Sequence, residues 1–372
     1  MADLAVTALR LGQFRNHAGT QLELDNRPVA LFGANGAGKT NILEAVSLLS
    51  PGRGLRRAAA DEMGRRDAGL GWRIRADLTS LGHMHEIETT AQPASARQVR
   101  INDKSATQTA LGRIARVIWL IPAMDRLWIE GADGRRRFLD RATLSFEPAH
   151  AEVVLAYEKA MRERNRLLKD GIMDDHWYRA LEMQMAEAGA QIVANRQMAL
   201  DLLTTAQQSA ETSFPAAELA LEQPGGEALP ETAADLADAM AESRPADMRA
   251  GRSLVGPHRS DLVATFAAKN VPARDCSTGE QKALLISLIL ANGRALKDTF
   301  GAAPILLLDE VAAHLDPNRR AALYDEISAL GAQAWMTGTE PALFAELGPR
   351  AQYFEVSEIG GLAQLAQKDG AR

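Results

Sequence analysis

The alternation of apolar and polar positions changes period several times along the chain. Over residues 3–32 it runs in short two-residue alternations, "LAVTALRL", "TQLELD" and "PVALFG", which predict strands. Between 70 and 121 the stretches "GWRIRADLTS", "HMHEIETTA" and "RQVRIND" repeat that texture between polar turns and predict an antiparallel sheet inserted beside the first strands. From 148 to about 213 the spacing becomes three and four. Val154, Tyr157, Met161 and Leu168 mark one stripe, and Trp177, Leu181, Met185, Ala188, Ile192, Ala199 and Leu202 mark another. One buried stripe on each arm, with "KDGIMDD" at 169–175 as the turn, predicts two antiparallel helices.

Further on, "LEQPGGEALPE" at 221–231 has the Pro and Gly density of a loop, and an amphipathic helix follows to about 243. A strand returns in "VGPHRSDLVATF", and "TGEQKALLISLILANGRAL" predicts a helix. "APILLLDE" is a continuous apolar run ending in two acids, the pattern of a strand covered on both faces in a parallel sheet. Helix and strand patterns then alternate to the end, as in a doubly wound α/β fold, and no repeat of fixed period interrupts them.

The strand at "PVALFG" runs into "GANGAGKTN", where Gly33, Ala34, Asn35, Gly36, Ala37, Gly38, Lys39 and Thr40 satisfy G-x-x-x-x-G-K-[ST] and Asn41 continues into a helix. The chemistry needs this order. Glycines let backbone N–H groups turn inward around a β-phosphate, the helix N-terminus adds partial positive charge, Lys39 reaches the β- and γ-phosphates, and the Thr40 hydroxyl ligates Mg²⁺. Downstream, "ILLLDE" at 305–310 supplies the complementary acids: Asp309 to hold Mg²⁺ and Glu310 to polarise an attacking water, with a capping or surface role as the plainer alternative for Glu310. No Asn-Lys-x-Asp guanine signature appears, so ATP is the expected nucleotide.

Composition narrows the setting. A chain of 372 residues can bury a large core in two or three lobes without staples. Cys276 is the only cysteine, which excludes an intramolecular disulfide and a cysteine metal cluster and fits a reducing cytoplasm. The N-terminus has no secretory pattern, and the longest apolar run, "ALLISLILA" at 283–291, is half a membrane span, so a soluble protein without a membrane partner is expected. The net charge of −6 argues against wholesale coating of nucleic acid. Local arginine patches do exist, in "PGRGLRR" and "GRR" between 51 and 66, "GRRRFLDR" at 134–141 and "RERNR" at 162–166, each either a phosphate-binding surface or a salt-bridged face.

"STGEQKALLI" at 277–286 resembles the signature helix of the ABC-type ATPases, which meets the γ-phosphate of a nucleotide held by the other subunit; Ser277, Gly279 and Gln281 carry the match. The alternative is an ordinary helix start, with Ser277 as N-cap and Glu280 closing a capping box. "AAHLDP" resembles the D-loop and carries Asp316, His314 stands where related proteins more often have an acid, and "AWMTGTE" offers Thr337 and Thr339 in place of the switch histidine, a threonine version of a γ-phosphate sensor. The gap from Thr40 to Ser277 is longer than transporter ATPases imply and far shorter than the coiled-coil insertions of SMC proteins.

"LRLGQFRNHAGTQLEL", "FGANGAGKTNILEAVSLLSPGRGLR", "GRRRFLDR", "GPHRSDL" and "LLLDE" together resemble the RecF family, in order and over nearly the full length. The resemblance implies an α/β P-loop ABC-type ATPase head, a mixed sheet with an antiparallel β subdomain, over 1–145 and 255–372, and a compact α-helical lobe over 146–254 with a short hairpin. It also implies a weak DNA-stimulated ATPase that forms an ATP-dependent homodimer, binds single- and double-stranded DNA, works with RecO and RecR, loads RecA at gaps and supports the SOS response. Lys39, Asp309, Glu310 and Ser277 form the implied catalytic set. Arg15 and Asn16 match the segment that approaches the nucleotide phosphates, though Arg15 could equally be a surface charge. Arg135, Arg136 and Arg137 have two readings, DNA phosphate contact or salt bridging between lobes with Asp140, while His258 and Arg259 have no derivable chemistry and a lone His is more often a hydrogen-bonded core residue. DNA affinity without a base-reading motif is expected to be electrostatic and independent of sequence. Alternatives are an ATP-gated DNA scaffold with vestigial hydrolysis, another SMC-like ATPase of DNA metabolism, or a nuclease, for which no second acidic cluster is evident.

Overall fold

The computed structural model describes residues 2–65, 69–226, 229–230 and 232–370, with the side chain of His314 outside that set. Arg66 of the second arginine patch and residues 227, 228 and 231 of the expected loop also lie outside it. The chain forms two compact units, Met1–Asp125 with Ser209–Pro215 and Leu285–Arg372, and Arg126–Gln208 with Ala216–Leu284. The sequence reading divides the chain at 145/146 and 254/255; in the structure the segments 126–145 and 255–284 group with the helices.

The first unit contains β1 (Leu4–Phe14), β2 (His17–Glu23), β3 (Val29–Phe32), α1 (Lys39–Ser47), β4 (Trp72–Ser80), β5 (His83–Ala91), β6 (Gln98–Ile101), β7 (Lys104–Ala106) and β8 (Val117–Leu120). The second contains α2 (Ala132–Phe146), α3 (His150–Lys169), α4 (Asp175–Gln208), β9 (Ala217–Glu222), α5 (Ala233–Glu242), α6 (Arg244–Ala250), β10 (Asp261–Phe266) and β11 (Val271–Pro272). Helix α7 (Thr278–Phe300) runs across the boundary, and the first unit resumes with β12 (Ile305–Leu308), α8 (Pro317–Leu330), β13 (Ala334–Gly338), β14 (Gln352–Ile359) and β15 (Leu362–Lys368).

Two six-stranded sheets build the first unit. One, in the order β2-β1-β4-β5-β6-β7, is antiparallel throughout. The other, β15-β14-β3-β13-β12-β8, is parallel except for β15. This is the expected mixed α/β architecture. The all-apolar strands β3 and β12 are buried at every position, which suits strands flanked on both edges by parallel neighbours. The register matters most: Leu308 pairs with Met336 and Gly338 with Phe32, so the residues that leave β3 and β12 emerge at one edge of the sheet, beside Thr337.

A buried glutamine joins the two sheets. Gln333 donates to Val6 O at 2.9 Å and Asp25 O at 3.0 Å, and accepts from the Val6 N–H at 2.9 Å and the Trp335 indole at 3.2 Å. It satisfies the backbone of β1 where the pairing with β4 slips, between Val6 and Ala8.

In the second unit α3 and α4 pack antiparallel, with Tyr157, Leu181, Met185 and Ile192 in one apolar cluster with Leu236 and Met240 of α5. The turn falls where "KDGIMDD" places it. Trp177 departs from its stripe: it is 57% exposed, and the next residue, Tyr178, takes the inward position, its ring faced by the guanidinium groups of Arg164 at 5.9 Å and Arg244 at 5.5 Å. Arg164 of "RERNR" is fully buried, holding Glu182 at 3.0 Å, Asp247 at 2.6 Å, Ser253 Oγ at 2.8 Å and Met240 O at 3.0 Å.

Candidate functional site

The glycine loop connects β3 to α1 at the carboxyl edge of the parallel strands, where open α/β sheets place their ligands. Two of its glycines are sterically required. Gly33 has φ +145° and a Cβ there would lie 2.0 Å from the carbonyl oxygen of Val356 in β14. Gly38 has φ +114° and a Cβ would lie 2.7 Å from Asn16 Oδ1 and 3.0 Å from His17 Nε2. Gly38 also occupies the N-cap of α1, so no side chain satisfies the first N–H groups, and no acid stands in the first turn to offset their partial charge. An uncapped helix N-terminus of this kind is an anion site.

Asn16 and His17 hold the loop from behind. Asn16 Nδ2 donates to Ala37 O at 3.1 Å, and its Oδ1 accepts from Asn41 Nδ2 at 2.7 Å. His17 is buried, and burial holds its pKa below the usual histidine value; the neutral ring donates from Nε2 to Gly38 O at 3.2 Å and accepts at Nδ1 from the Thr20 hydroxyl at 2.9 Å. Engaging these carbonyls keeps them turned away from the phosphate side.

Lys39 is 4% exposed and its Nζ donates to Gly33 O at 2.7 Å and Ala34 O at 2.8 Å. Burial lowers its pKa, against the pull of Glu310 and Asp309. Thr40 Oγ1 donates to Asp309 at 2.9 Å (Oδ1) and 3.2 Å (Oδ2), joining the loop to the end of β12. This hydroxyl and carboxylate are hard oxygen donors, of the type that holds Mg²⁺ together with nucleotide phosphates. The hydroxyl of Thr337 donates to Asp309 Oδ1 at 2.7 Å and accepts from the Glu310 N–H at 2.9 Å. Its proton and one lone pair are thus engaged by the two acids; Thr339 is exposed. Glu310 has φ +55°, uncommon for a residue with a side chain and a form of strain that concentrates at functional sites.

Arg15 is not a free surface charge. Its guanidinium grips Glu44 of α1 at 2.9 and 2.6 Å and Glu62 O at 2.7 Å, and Arg56 of "PGRGLRR" reaches the same fully buried Glu44 at 2.9 Å. Glu44 is a residue that sequence reasoning missed; its only signal was an acid on the inward face of α1. Arg97 was missed as well. It clamps the end of α1 through Leu48 O at 3.0 Å, Ser50 O at 3.3 Å and Gly52 O at 2.7 Å, and burial lowers its pKa to about 10.

The signature residues belong to the second unit. Ser277 and Glu280 form a reciprocal cap: Glu280 Oε2 accepts from the Ser277 hydroxyl at 2.8 Å and from its N–H at 2.9 Å. Lys269 and the two Ser277 donors hold the Glu280 carboxyl down to about 2. Gln281 is buried and donates to Cys276 O at 3.0 Å and Arg274 O at 3.2 Å, bracing the loop ahead of the helix. Gly279 differs from the loop glycines Gly33 and Gly38, since a Cβ there meets nothing within 4 Å. Asp316 in the first unit caps α8, accepting from Arg319 N at 3.0 Å.

Other arginines are committed. Arg135 pairs with Asp261 at 2.7 and 2.8 Å, Arg136 bonds Ser260 O at 2.8 Å and pairs with Asp133, and Arg137 is exposed. Asp140 is held by Arg196 at 2.7 Å and His150 at 3.2 Å, so the expected pairing of Arg135 or Arg136 with Asp140 is replaced by these partners. His258 accepts from Tyr157 OH at 2.7 Å and donates to Ser253 O at 3.0 Å; burial pushes its pKa to about 4. No helix among the described residues is long and apolar enough to cross a membrane.

Residues 5–353 match the family model described as "RecF/RecN/SMC N terminal domain". The chain is 49% identical over 365 residues to the DNA replication and repair protein RecF of Rhizobium rhizogenes strain K84, an alignment covering 95% of this chain and 97% of the relative. It is 48% identical over 364 residues to the RecF of Brucella suis biovar 1 strain 1330, with 95% of each chain covered. Among solved structures it is similar to one described as "Structure of the recombination mediator protein RecF-ATP in RecFOR pathway", with a TM-score of 0.83, 23% identity and coverage of 99% of this chain and 100% of the other.

Proposed function

Since the chain belongs to the RecF/RecN/SMC N-terminal-domain family and, through relatives 48–49% identical along nearly its whole length, to the RecF proteins, we propose that it is an ATP-dependent DNA-binding protein of replication and recombinational repair whose nucleotide site is completed by a second copy. One observation carries the reading: residues separated by most of the sequence meet at one sheet edge, where Thr40 bonds Asp309 directly, the Thr337 hydroxyl bridges Asp309 and the Glu310 N–H, and Lys39 is held in the loop by Gly33 O and Ala34 O.

ATP seats its phosphates on the free N–H groups of α1, with Gly33 to Gly38 curving around the β-phosphate. Lys39 exchanges its two loop carbonyls for β- and γ-phosphate oxygens, an exchange of comparable hydrogen bonds that leaves the buried ammonium satisfied. Thr40 and Asp309 are the residues that would hold Mg²⁺, which neutralises charge on the phosphate oxygens when bound. Glu310 orients water in line with the γ-phosphate and takes its proton as the new P–O bond forms and the bond to ADP breaks.

The other half of the site comes from the partner copy. Ser277 and Gly279 present a helix N-terminus to the γ-phosphate across a two-fold interface, and the open space at Gly279 supports this, because nothing within the chain requires a glycine there. Gln281 and Asp316 support these loops by bracing and capping them. Closure of the homodimer grips single- or double-stranded DNA without sequence preference, hydrolysis releases it, and the cycle, carried out in the cytoplasm with RecO and RecR, loads RecA at gaps and supports the SOS response.

Lys39→Arg and Glu310→Gln test the assignment. Lys39→Arg loses ATP binding, whereas Glu310→Gln binds ATP normally and loses turnover by about 100-fold or more. Equal loss of binding in both variants contradicts the division of roles. A second reading, a scaffold in which hydrolysis is vestigial, is favoured by the claim of Glu280 on the Ser277 hydroxyl. The readings separate in DNA release, which slows in Glu310→Gln only if hydrolysis is the timer.

A further inference from the structure

We infer that Thr337 is a positioning residue for hydrolysis: its single hydroxyl sets the orientation of both strand-end acids, making the site responsive to the metal and competent for turnover. The inference rests on the ATPase reading of the site and names a residue which that reading leaves without a role.

The strand register creates the arrangement. β12 and β13 pair in parallel up to Leu308 and Met336, so Asp309, just past the end of β12, lies beside Thr337, which stays paired with Leu31 of β3. Thr337 is fully buried. A hydroxyl offers one proton and two lone pairs, and here the proton goes to Asp309 Oδ1 at 2.7 Å while a lone pair receives the Glu310 N–H at 2.9 Å. Asp309 Oδ1 also accepts from Thr40 at 2.9 Å. Two hydroxyls on one oxygen fix the rotation of the carboxylate. The Glu310 bond acts on the backbone, because a φ of +55° persists only where the surroundings hold it, and the Thr337 oxygen is the acceptor for that residue's own N–H. Without the hydroxyl the carboxylate is held by Thr40 alone and its rotation is no longer fixed from both sides, and the Glu310 peptide relaxes toward an extended conformation that re-aims its side chain.

A merely structural threonine in β13 would be replaceable by valine, which keeps the branched shape at a fully buried strand position. A positioning threonine would be replaceable by serine, which keeps the hydroxyl. We therefore compare Thr337→Val and Thr337→Ser by steady-state ATPase kinetics, thermal melting, and binding of a fluorescent ATP analogue with and without Mg²⁺ in a Glu310→Gln background.

Thr337→Val should remain folded with a melting temperature modestly below wild type, bind the analogue without Mg²⁺ within about threefold of the parent, lose about tenfold of the affinity gained on adding Mg²⁺, and lose about 100-fold in kcat with KM little changed. Thr337→Ser should stay within about threefold of wild type in every readout. A Thr337→Val protein with full turnover and full Mg²⁺ response overturns the inference, as does a Thr337→Ser protein impaired as much as Thr337→Val. If wild type shows no turnover sensitive to Glu310→Gln, the ATPase reading fails, and the Mg²⁺ response of analogue binding still decides whether the hydroxyl orients Asp309.

Discussion

Gly33 shows how much one residue can carry. Its φ is +145° and a Cβ on it would stand 2.0 Å from Val356 O, so no other residue fits where the chain turns out of β3. The first glycine of the loop is therefore fixed by the sheet behind it as well as by phosphate in front. The histidines are the residues whose chemistry the sequence could not disclose. His17 looked like one polar letter after Arg15 and Asn16, because nothing local shows that it will be buried against Gly38 O. His258 meets two partners 101 and 5 residues away, and burial sets its pKa at about 4. The sign of its pH effect follows. Its folded pKa lies below the unfolded value of about 6.5, so the unfolded chain takes up the proton first and stability falls as pH drops from about 6.5 toward 4. Unfolding free energies from denaturant titrations across that window should decline by about 2 kcal/mol in wild type, a screened fraction of the full linkage, and the decline should be clearly shallower in His258→Gln. An unchanged slope in the variant would remove His258 from the explanation.

Elements were legible where the pattern came from a single period. The "ILLLDE" strand, the helix after the loop and the α3–α4 hairpin all follow from local spacing, and the structure forms them. Trp177 misled because an exposed aromatic in the first turn of α4 has the same spacing as a buried one; the cation-flanked pocket that selects Tyr178 instead is built by Arg164 and Arg244. Ion pairs were illegible for the same reason, since "RERNR" does not show which arginine goes inside. Arg164 ties α3 to α4 through Glu182 and to α6 through Asp247, and truncating it would leave the buried Asp247 carboxylate without its cation and Glu182 with Arg244 alone. Arg164→Ala should lower unfolding free energy by about 3–5 kcal/mol. Exposed Arg162→Ala, whose partner Glu158 lies at 3.5 Å on the same helix, should change it by less than about 0.5 kcal/mol. Equal effects from the two substitutions in thermal melts would mean that the buried network does not hold these helices together.

At the scale of the whole molecule, the sequence carried the family and the mixed α/β architecture, because phrases such as "GANGAGKTN" and "LLLDE" are tied to a chemistry that admits few alternatives. It did not carry the supporting arrangement, in which Glu44, Arg97, Gln333 and Thr337 each act across large sequence separations. The central claim is that one chain holds two half-sites, with Lys39, Thr40, Asp309 and Glu310 acting on a nucleotide that meets Ser277 and Gly279 of a second copy. Subunit mixing tests it most directly. Lys39→Ala and Ser277→Arg proteins should each be inactive alone as ATPases. In an equimolar mixture, half of the randomly formed dimers pair an intact Lys39 half-site with an intact Ser277, so activity should return to about a quarter of wild type, increasing with protein concentration. A mixture no more active than its parents, with dimers demonstrably formed, would contradict the shared site.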